Sequence, residues 1–390
     1  MKMSRFTVRR VTAALVVLWA MTALACTHSQ PLKDARTHLR GVDERFEPKD
    51  PAPEETQPQD FADGQLRSYL LHALRHNHGL QARYEQWRAA VETIEATGQY
   101  PEPVITYGVF LQRVETRVGA QRQRLGMRVK LPWPARLDAD IQAAAHEATA
   151  AAHRFEAALL TLEHRVGKAF WTLWAIDARR AALDDQRAIL VQLAASTRAR
   201  LEVGRATVAE LSQIELGLSR ADDAIENLSA DRQSTQAELL AAVGAPQGSQ
   251  TPIDAAAPAP RPPGQNLQEL QALARAHPDA RALGALAMAQ QSRAASAHAE
   301  RYPDLTFGLD WIDTAAIEGA DIDDNGKDPI MATISLDLPL WTDHQAHAMA
   351  SSARGRALEH QQLDLAEALC AMVVQPQTPI QDAHRRVTLF

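Results

Sequence analysis

One phrase occurs twice in this chain, about 200 residues apart. Tyr100-Pro101-Glu102 leads through Thr106-Tyr107-Gly108 to Leu131-Pro132-Trp133. Tyr302-Pro303-Asp304 leads through Thr306-Phe307-Gly308 to Leu338-Pro339-Leu340-Trp341. Each copy reads as a strand, a turn region and a second strand, with a helical pattern before and after. A repeat constrains architecture before any local propensity does, because both units must be built alike. The expected fold is therefore an internal duplication of a helix-strand-strand-helix unit, mainly α with a small β part.

The arms of the first copy are legible as helices. Leu66, Leu70, Leu74, Leu80, Tyr84, Trp87, Val91 and Ile94 recur at helical steps, with one skip at His76-Asn77-His78. Gly98 and Pro101 stop the pattern. Strands are expected over Val104 to Leu111 and Leu125 to Leu131, joined across a loop containing Gly119, and again near Leu305 to Ile312 and Met331 to Leu338. Strands so short and weakly alternating suit a barrel wall, where neighbours supply the order.

Past Pro134, the residues Phe155, Leu159, Leu162, Val166, Ala169, Leu173 and Ile176 alternate steps of four and three, and Leu183 and Leu190 continue the phase. The pattern breaks at Val203-Gly204, and Leu211, Ile214, Leu218, Ala221, Ile225 and Leu228 resume it. Two heptad helices joined by a glycine turn form a long antiparallel coiled-coil hairpin. If residues 136 to 200 are all helical, that arm is about 95 Å long at about 1.5 Å per residue. The second copy opens with a helix from Leu267 to Glu300 and has another starting around His344.

Composition agrees with this reading. Hydrophobic residues make up 46% of the chain but aromatics only 5%, the balance of long helices packed closely through alanine. A formal charge of -7 argues against a nucleic-acid partner. Residues 1-25 read as a signal peptide: Lys2, Arg5, Arg9 and Arg10 precede an apolar stretch from Val11 to Ala25. Its removal takes the charge from -7 to -11, since no acid precedes Cys26. Cys26 is a candidate lipid acceptor, with plain cleavage after Ala25 as the alternative. Residues 26-60 are polar and Pro-rich and are expected to form an extended linker from that anchor. The first repeat spans 61-244, a Pro-rich linker 245-266, and the second repeat 267-370. That second repeat is incomplete, lacking a counterpart to the long hairpin, and 371-390 form an atypical tail. A truncated or frame-shifted coding sequence is the expectation these features raise.

Several residues invite site readings. His72, His76 and His78 share one helical step but lack a Cys or carboxylate in register, so no metal site is expected. Asp321, Asp323, Asn325 and Gly326 match the first half of a calcium loop, but Ala332 stands where its Glu belongs. Asp310, Asp313 and Asp337 could line a cation-friendly lumen. No Gly-rich phosphate loop, nucleophile elbow or metalloprotease helix occurs, so no enzyme and no cofactor are expected.

Taken in order, these segments resemble the outer-membrane efflux protein (TolC-like) family over about Leu66 to Leu369. The resemblance rests on a candidate lipidated Cys26, Asn77-His78-Gly79-Leu80-Gln81-Ala82, the Tyr100-Pro101-Glu102-Pro103 step, Leu131-Pro132-Trp133 and Arg200-Leu201-Glu202-Val203-Gly204. The lipidated branches serving resistance-nodulation-division pumps for metals and drugs are the nearest in pattern. The resemblance implies a homotrimer in which each chain gives four strands to a twelve-stranded outer-membrane barrel and its helices to a periplasmic tunnel. It implies the channel of a tripartite system exporting metal cations or small toxic compounds, partnered by a periplasmic adaptor and an inner-membrane pump. It also implies an adaptor-docking tip made of Arg200, Leu201, Val203, Gly204, Thr207 and Leu211. A turn closed by Gly204 with no docking role is the alternative there. For the whole chain, the alternatives are a lipid-anchored periplasmic coiled-coil adaptor or scaffold, or a truncated channel without function.

Overall fold

The computed structural model describes residues 30–43, 61–255, 266–319, 323–341 and 343–374. Cys26, most of the segment expected as a linker, and the tail beyond Val374 lie outside them. In chain order the elements are α1 (Gln30–Asp43), α2 (Leu66–His76), α3 (His78–Thr97), β1 (Val104–Thr116), β2 (Gly119–Leu131), α4 (Pro134–Glu202), α5 (Val208–Val243), α6 (Leu267–Arg275), α7 (Pro278–Ala299), β3 (Asp304–Ala315), β4 (Ile330–Asp337) and α8 (His344–Val374). The duplication is plain in this order: α3-β1-β2-α4 is followed by α7-β3-β4-α8. Among the described residues no helix is long and apolar enough to cross a membrane.

The strands form one antiparallel sheet in the order β1-β2-β3-β4. The first pair is longer than the apolar runs alone indicate, because polar residues keep pairing to Glu115↔Ala120 and Thr116↔Gly119. The expected Gly119 loop is thus a tight turn at Arg117-Val118, with Gly119 itself in the sheet at φ 133°. β2 and β3 join the two copies in continuous register, from Leu131↔Leu305 to Gly126↔Asp310 and Ala120↔Ala315, with one irregularity between Gln121 and Gln123.

The chain divides into two compact units. The first holds residues 1–40, 86–153 and 271–372, and so contains the sheet. Its helices are buried mainly through alanine: Ala143, Ala144 and Ala148 of α4, and Ala280, Ala285 and Ala289 of α7. Small side chains let helix backbones approach, which is why Gly355 of α8 sits where a Cβ would lie 3.5 Å from the Ala287 carbonyl oxygen. Gln291 Nε2 donates to Glu359 at 3.0 Å, and Arg293 pairs with Glu147, fixing α7 against α8 and α4.

α1 corrects the expectation of an extended segment before residue 60. Leu32, Ala35, Leu39 and Val42 step by three and four between Pro31 and Pro48, a short helical signal masked by the surrounding prolines. Leu39 is buried, the His38 ring meets Trp87 edge-on at 5.1 Å, and Arg36 pairs with Glu92 at 2.8 Å and with Glu95.

The second unit holds residues 41–85, 154–270 and 373–390. Its centre is aromatic: Tyr69 stacks on Phe61 at 4.5 Å and meets Phe170 at 5.6 Å, while its hydroxyl donates to the Pro252 carbonyl at 2.9 Å. Burial holds the Tyr69 hydroxyl well above its ordinary pKa. The skip at residues 76–78 is a break between α2 and α3. Asn77 caps α3 by accepting from Leu80 N–H at 2.9 Å, and its amide donates to the Ala242 carbonyl at 2.8 Å. Opposite it, Gly244 ends α5 in the left-handed region at φ 75°. A Cβ there would press on the backbone of His76, 2.7 Å from its carbonyl carbon. Gly244→Ala should therefore cost about 2–4 kcal/mol, from both φ strain and overlap with backbone. Urea denaturation followed by circular dichroism measures this, and an unchanged midpoint would contradict the interlock.

Candidate functional site

Two places carry functional geometry, the sheet and the hairpin tip. In the sheet, alternation sorts side chains by face. One face is built of cross-strand rows: Tyr107, Leu125, Trp311 and Ile330; Ile105, Met127, Leu309 and Ala332; Val129, Phe307 and Ile334; Leu131, Leu305 and Leu336. These rows extend about 20 Å along β2 at about 3.4 Å per residue, close to the apolar band of a membrane barrel. They are not covered by the rest of the unit: Ile105 is 71% exposed and Ile334 68%. Soluble proteins seldom leave so continuous an apolar surface bare.

The opposite face is charged but internally balanced. Arg124 Nε donates to Asp310 Oδ1 at 3.0 Å and its Nη2 lies 2.8 Å from Oδ2, with the carboxylate 2% exposed. Lys130 bridges Asp304 at 3.2 Å and Asp337 at 2.8 Å. At the β2 irregularity Arg122 pairs with Asp313 at 2.8 Å, and Asp313, two residues beyond Trp311, stands at the end of the apolar face. Arg128, Thr306, Thr333 and Ser335 fill the remaining polar positions, and Val104, Ile312 and Met331 are apolar exceptions. Gly126 lies directly opposite Asp310, where a Cβ would strike the carboxylate. Asp310, Asp313 and Asp337 are each met by a cation from β2, and Arg122, Arg124 and Lys130 were the partners that sequence reasoning left out. Their spacing along β2 was the available signal.

The calcium-like loop is only partly described. Asn325 accepts from Ile317 N–H at 2.8 Å and donates to its carbonyl at 2.9 Å, and Asp324 pairs with Lys327 at 2.9 Å, so both side chains serve the loop itself. Among the described residues no three His, Cys, Asp or Glu side chains are placed to share a metal ion. His72 and His76 instead lie ring to ring at 4.3 Å.

At the other site, α4 runs for 69 residues, about 104 Å at about 1.5 Å per residue. The seam is buried at Phe155, Leu162, Val166, Leu173 and Ile176, and on α5 at Ala221 and Leu228; nearer the turn Leu183 and Leu190 are half-buried and the smaller Ala194 and Thr197 are buried. Ion pairs between the two helices flank the seam: Arg232 to Asp177 at 2.7 Å, Arg187 to Asp222, and Arg198 to Glu215 at 2.8 Å. The carboxylates of Asp177 and Asp222 push the Arg232 and Arg187 guanidiniums above their ordinary pKa.

The turn itself is fully bonded. Gly204 is left-handed at φ 75°, its N–H donates to the Leu201 carbonyl at 3.0 Å, and Arg205 N–H donates to the Arg200 carbonyl at 2.8 Å. This is a Schellman ending, which satisfies carbonyls the helix would otherwise leave open. Thr207 then starts α5 with a capping box: Glu210 N–H donates to Thr207 Oγ1 at 3.2 Å, and Thr207 N–H donates to the Glu210 carboxylate at 3.3 Å. All six residues expected at the tip are brought together here. Arg200, Leu201, Gly204 and Thr207 build the turn, Leu211 continues the seam, and Val203 is bare at 67% exposure. Val208, equally exposed, forms a second bare apolar point that sequence reasoning missed. The capping box was readable as Thr207-x-x-Glu210.

No protein-family profile matches the chain, and no curated protein matches it in sequence. Solved structures match in three dimensions. The outer membrane protein VceC from Vibrio cholerae superposes with a TM-score of 0.63 at 19% identity, over 80% of this chain and 79% of that one. The outer-membrane channel OprN gives 0.66 at 15% identity, over 85% and 76%. The CmeC outer membrane channel of Campylobacter jejuni gives 0.60 at 13% identity, over 79% and 71%. The chain has the fold of these outer-membrane channels, long paired helices with a small antiparallel sheet, and the expected TolC-like resemblance holds at the level of fold.

Thr207→Ala removes the side-chain half of the capping box, the Oγ1 bond to Glu210 N–H, while leaving Gly204 untouched. It should cost about 1 kcal/mol and fray the start of α5. Faster hydrogen exchange at Val208 to Leu211 is the readout, and unchanged exchange would show that the seam alone holds the turn.

Proposed function

We propose that this chain is a subunit of an outer-membrane channel that carries solutes out of the periplasm, three copies closing a twelve-stranded barrel from their four-stranded sheets. The observation that carries this reading is the two-faced sheet with open edges. Among the described residues β1 pairs only with β2 and β4 only with β3, so both outer edges have free backbone groups. In lipid such groups are costly, and closure with further strands removes them. An apolar outer face and a balanced polar inner face are what such a wall needs. The bare Val203 and Val208 at the hairpin tip then form the contact for a periplasmic adaptor, through which an inner-membrane pump delivers cargo. Metal cations or small toxic compounds are the proposed cargo, on the strength of the sequence resemblance, and Cys26 is the proposed lipid anchor. A lipid-anchored scaffold would leave the apolar face of the sheet without purpose.

Leu309 lies mid-face with 52% exposure, and an arginine there costs about 2–4 kcal/mol if the face meets lipid. Leu309→Arg should abolish the heat-modifiable trimer in outer-membrane fractions, whereas Ser335→Arg on the polar face should keep it. Normal trimer from Leu309→Arg, or salt extraction of the native chain as a monomer, would favour the scaffold.

Gly204→Leu strains the left-handed turn and moves Val203. Crosslinking of the tip to a co-expressed adaptor should fall to background while the trimer persists. Undiminished crosslinking would remove the docking role.

A further inference from the structure

At the base of the sheet, on its apolar side, a cavity of about 540 Å³ opens between Tyr100, Val129, Leu131, Trp133, Ala135 and Leu305. That volume lies in the range of small-molecule sites, about 300–1,000 Å³. Its upper wall is strand, and its lower wall is the Leu131-Pro132-Trp133 step into α4. Trp133 in that wall stacks on Tyr302 at 4.9 Å with the ring planes 19° apart, so the wall is backed by a second ring. Arg301 lies against the outer side of this pair, its guanidinium 4.8 Å from the Tyr302 ring centre and its Nη2 donating to the hydroxyl at 2.8 Å.

Two neighbouring cations are already neutralised: Lys130 by Asp304 and Asp337, and Arg136 by Glu300 at 3.6 Å and Asp304 at 3.9 Å. Arg301 has no carboxylate partner among the described residues. The region therefore presents an apolar slot on the sheet side and an uncommitted cation on the helix side, joined by an aromatic pair. Slot and cation are ordered as a lipid is ordered, with the tail towards the apolar band and the headgroup towards water.

We propose that this crevice is a binding site for one glycerophospholipid, an acyl chain lying against Val129, Leu131 and Leu305 and the phosphate meeting Arg301. The inference rests on the channel reading, which turns this face of the sheet towards lipid. A phospholipid fits better than another stretch of protein because the slot is lined by carbon while the cation beside its aromatic wall, Arg301, has no carboxylate partner among the described residues. Held there, the lipid seals the junction where strand pairing ends and helices begin.

The test uses the full-length chain purified in maltoside detergent, with native mass spectrometry for non-covalently held phosphatidylethanolamine and planar-bilayer conductance as an independent readout. Wild type should retain the lipid after detergent exchange. Ala135→Phe, which fills the slot, and Arg301→Ala, which removes the charge, should each lower retention about tenfold with conductance unchanged. Equal retention in all three conducting proteins overturns the site and leaves the channel reading standing. So does a conducting wild type that holds no lipid. If non-covalent lipid appears only in Cys26→Ser, the slot belongs to the chain's own acyl group and the phospholipid assignment fails. A wild-type chain that never conducts overturns both.

Discussion

The pairing of β2 with β3 is the interaction on which the sheet depends. Each copy of the repeat makes only a two-stranded hairpin, and isolated hairpins of this kind are marginal in water. Continuous register from Leu131↔Leu305 upward converts two weak hairpins into one four-stranded surface. It also aligns the faces, since a slip by one residue would exchange the apolar rows for the charged ones. The Arg124 pair with Asp310 spans this junction over Gly126, so side chains reinforce the register that the backbone sets.

The surface made in this way is unusual in leaving its apolar face uncovered. Rows centred on Met127 and Leu309 are bare, while charges on the reverse are matched within the sheet. A wall that self-neutralises its polar face and exposes its apolar one is stable between lipid and water, with closed edges. The helices obey a different economy. Alanine seams in the first unit give close backbone packing, and the long hairpin passes from large buried seam residues to small ones, Ala194 and Thr197, as it nears the Gly204 turn. That gradient leaves the tip held by backbone and capping bonds, with Val203 and Val208 outward.

Much of this was legible from the chain. The twice-used phrase predicted both strand pairs, the heptad steps predicted α4 and α5, and Gly204 marked their turn. Strand length was underestimated because Glu115 and Thr116 pair through backbone groups, which leave no apolar signature. α1 was missed because four apolar positions among prolines are too few to outweigh them. The cations that meet Asp310, Asp313 and Asp337 are hidden for a related reason: they lie on β2, and pairing across strands leaves no signature along one strand.

The sequence by itself determined the repeat, the periods of its helices and strands, and the residues of the turn, because all of these arise from near neighbours in the chain. Only the tertiary structure decided which strand lies beside which and therefore which face is apolar. It alone matched Arg124, Lys130 and Arg122 to carboxylates nearly 200 residues away. Register is a long-range choice made by packing and charge together, and no local pattern encodes it.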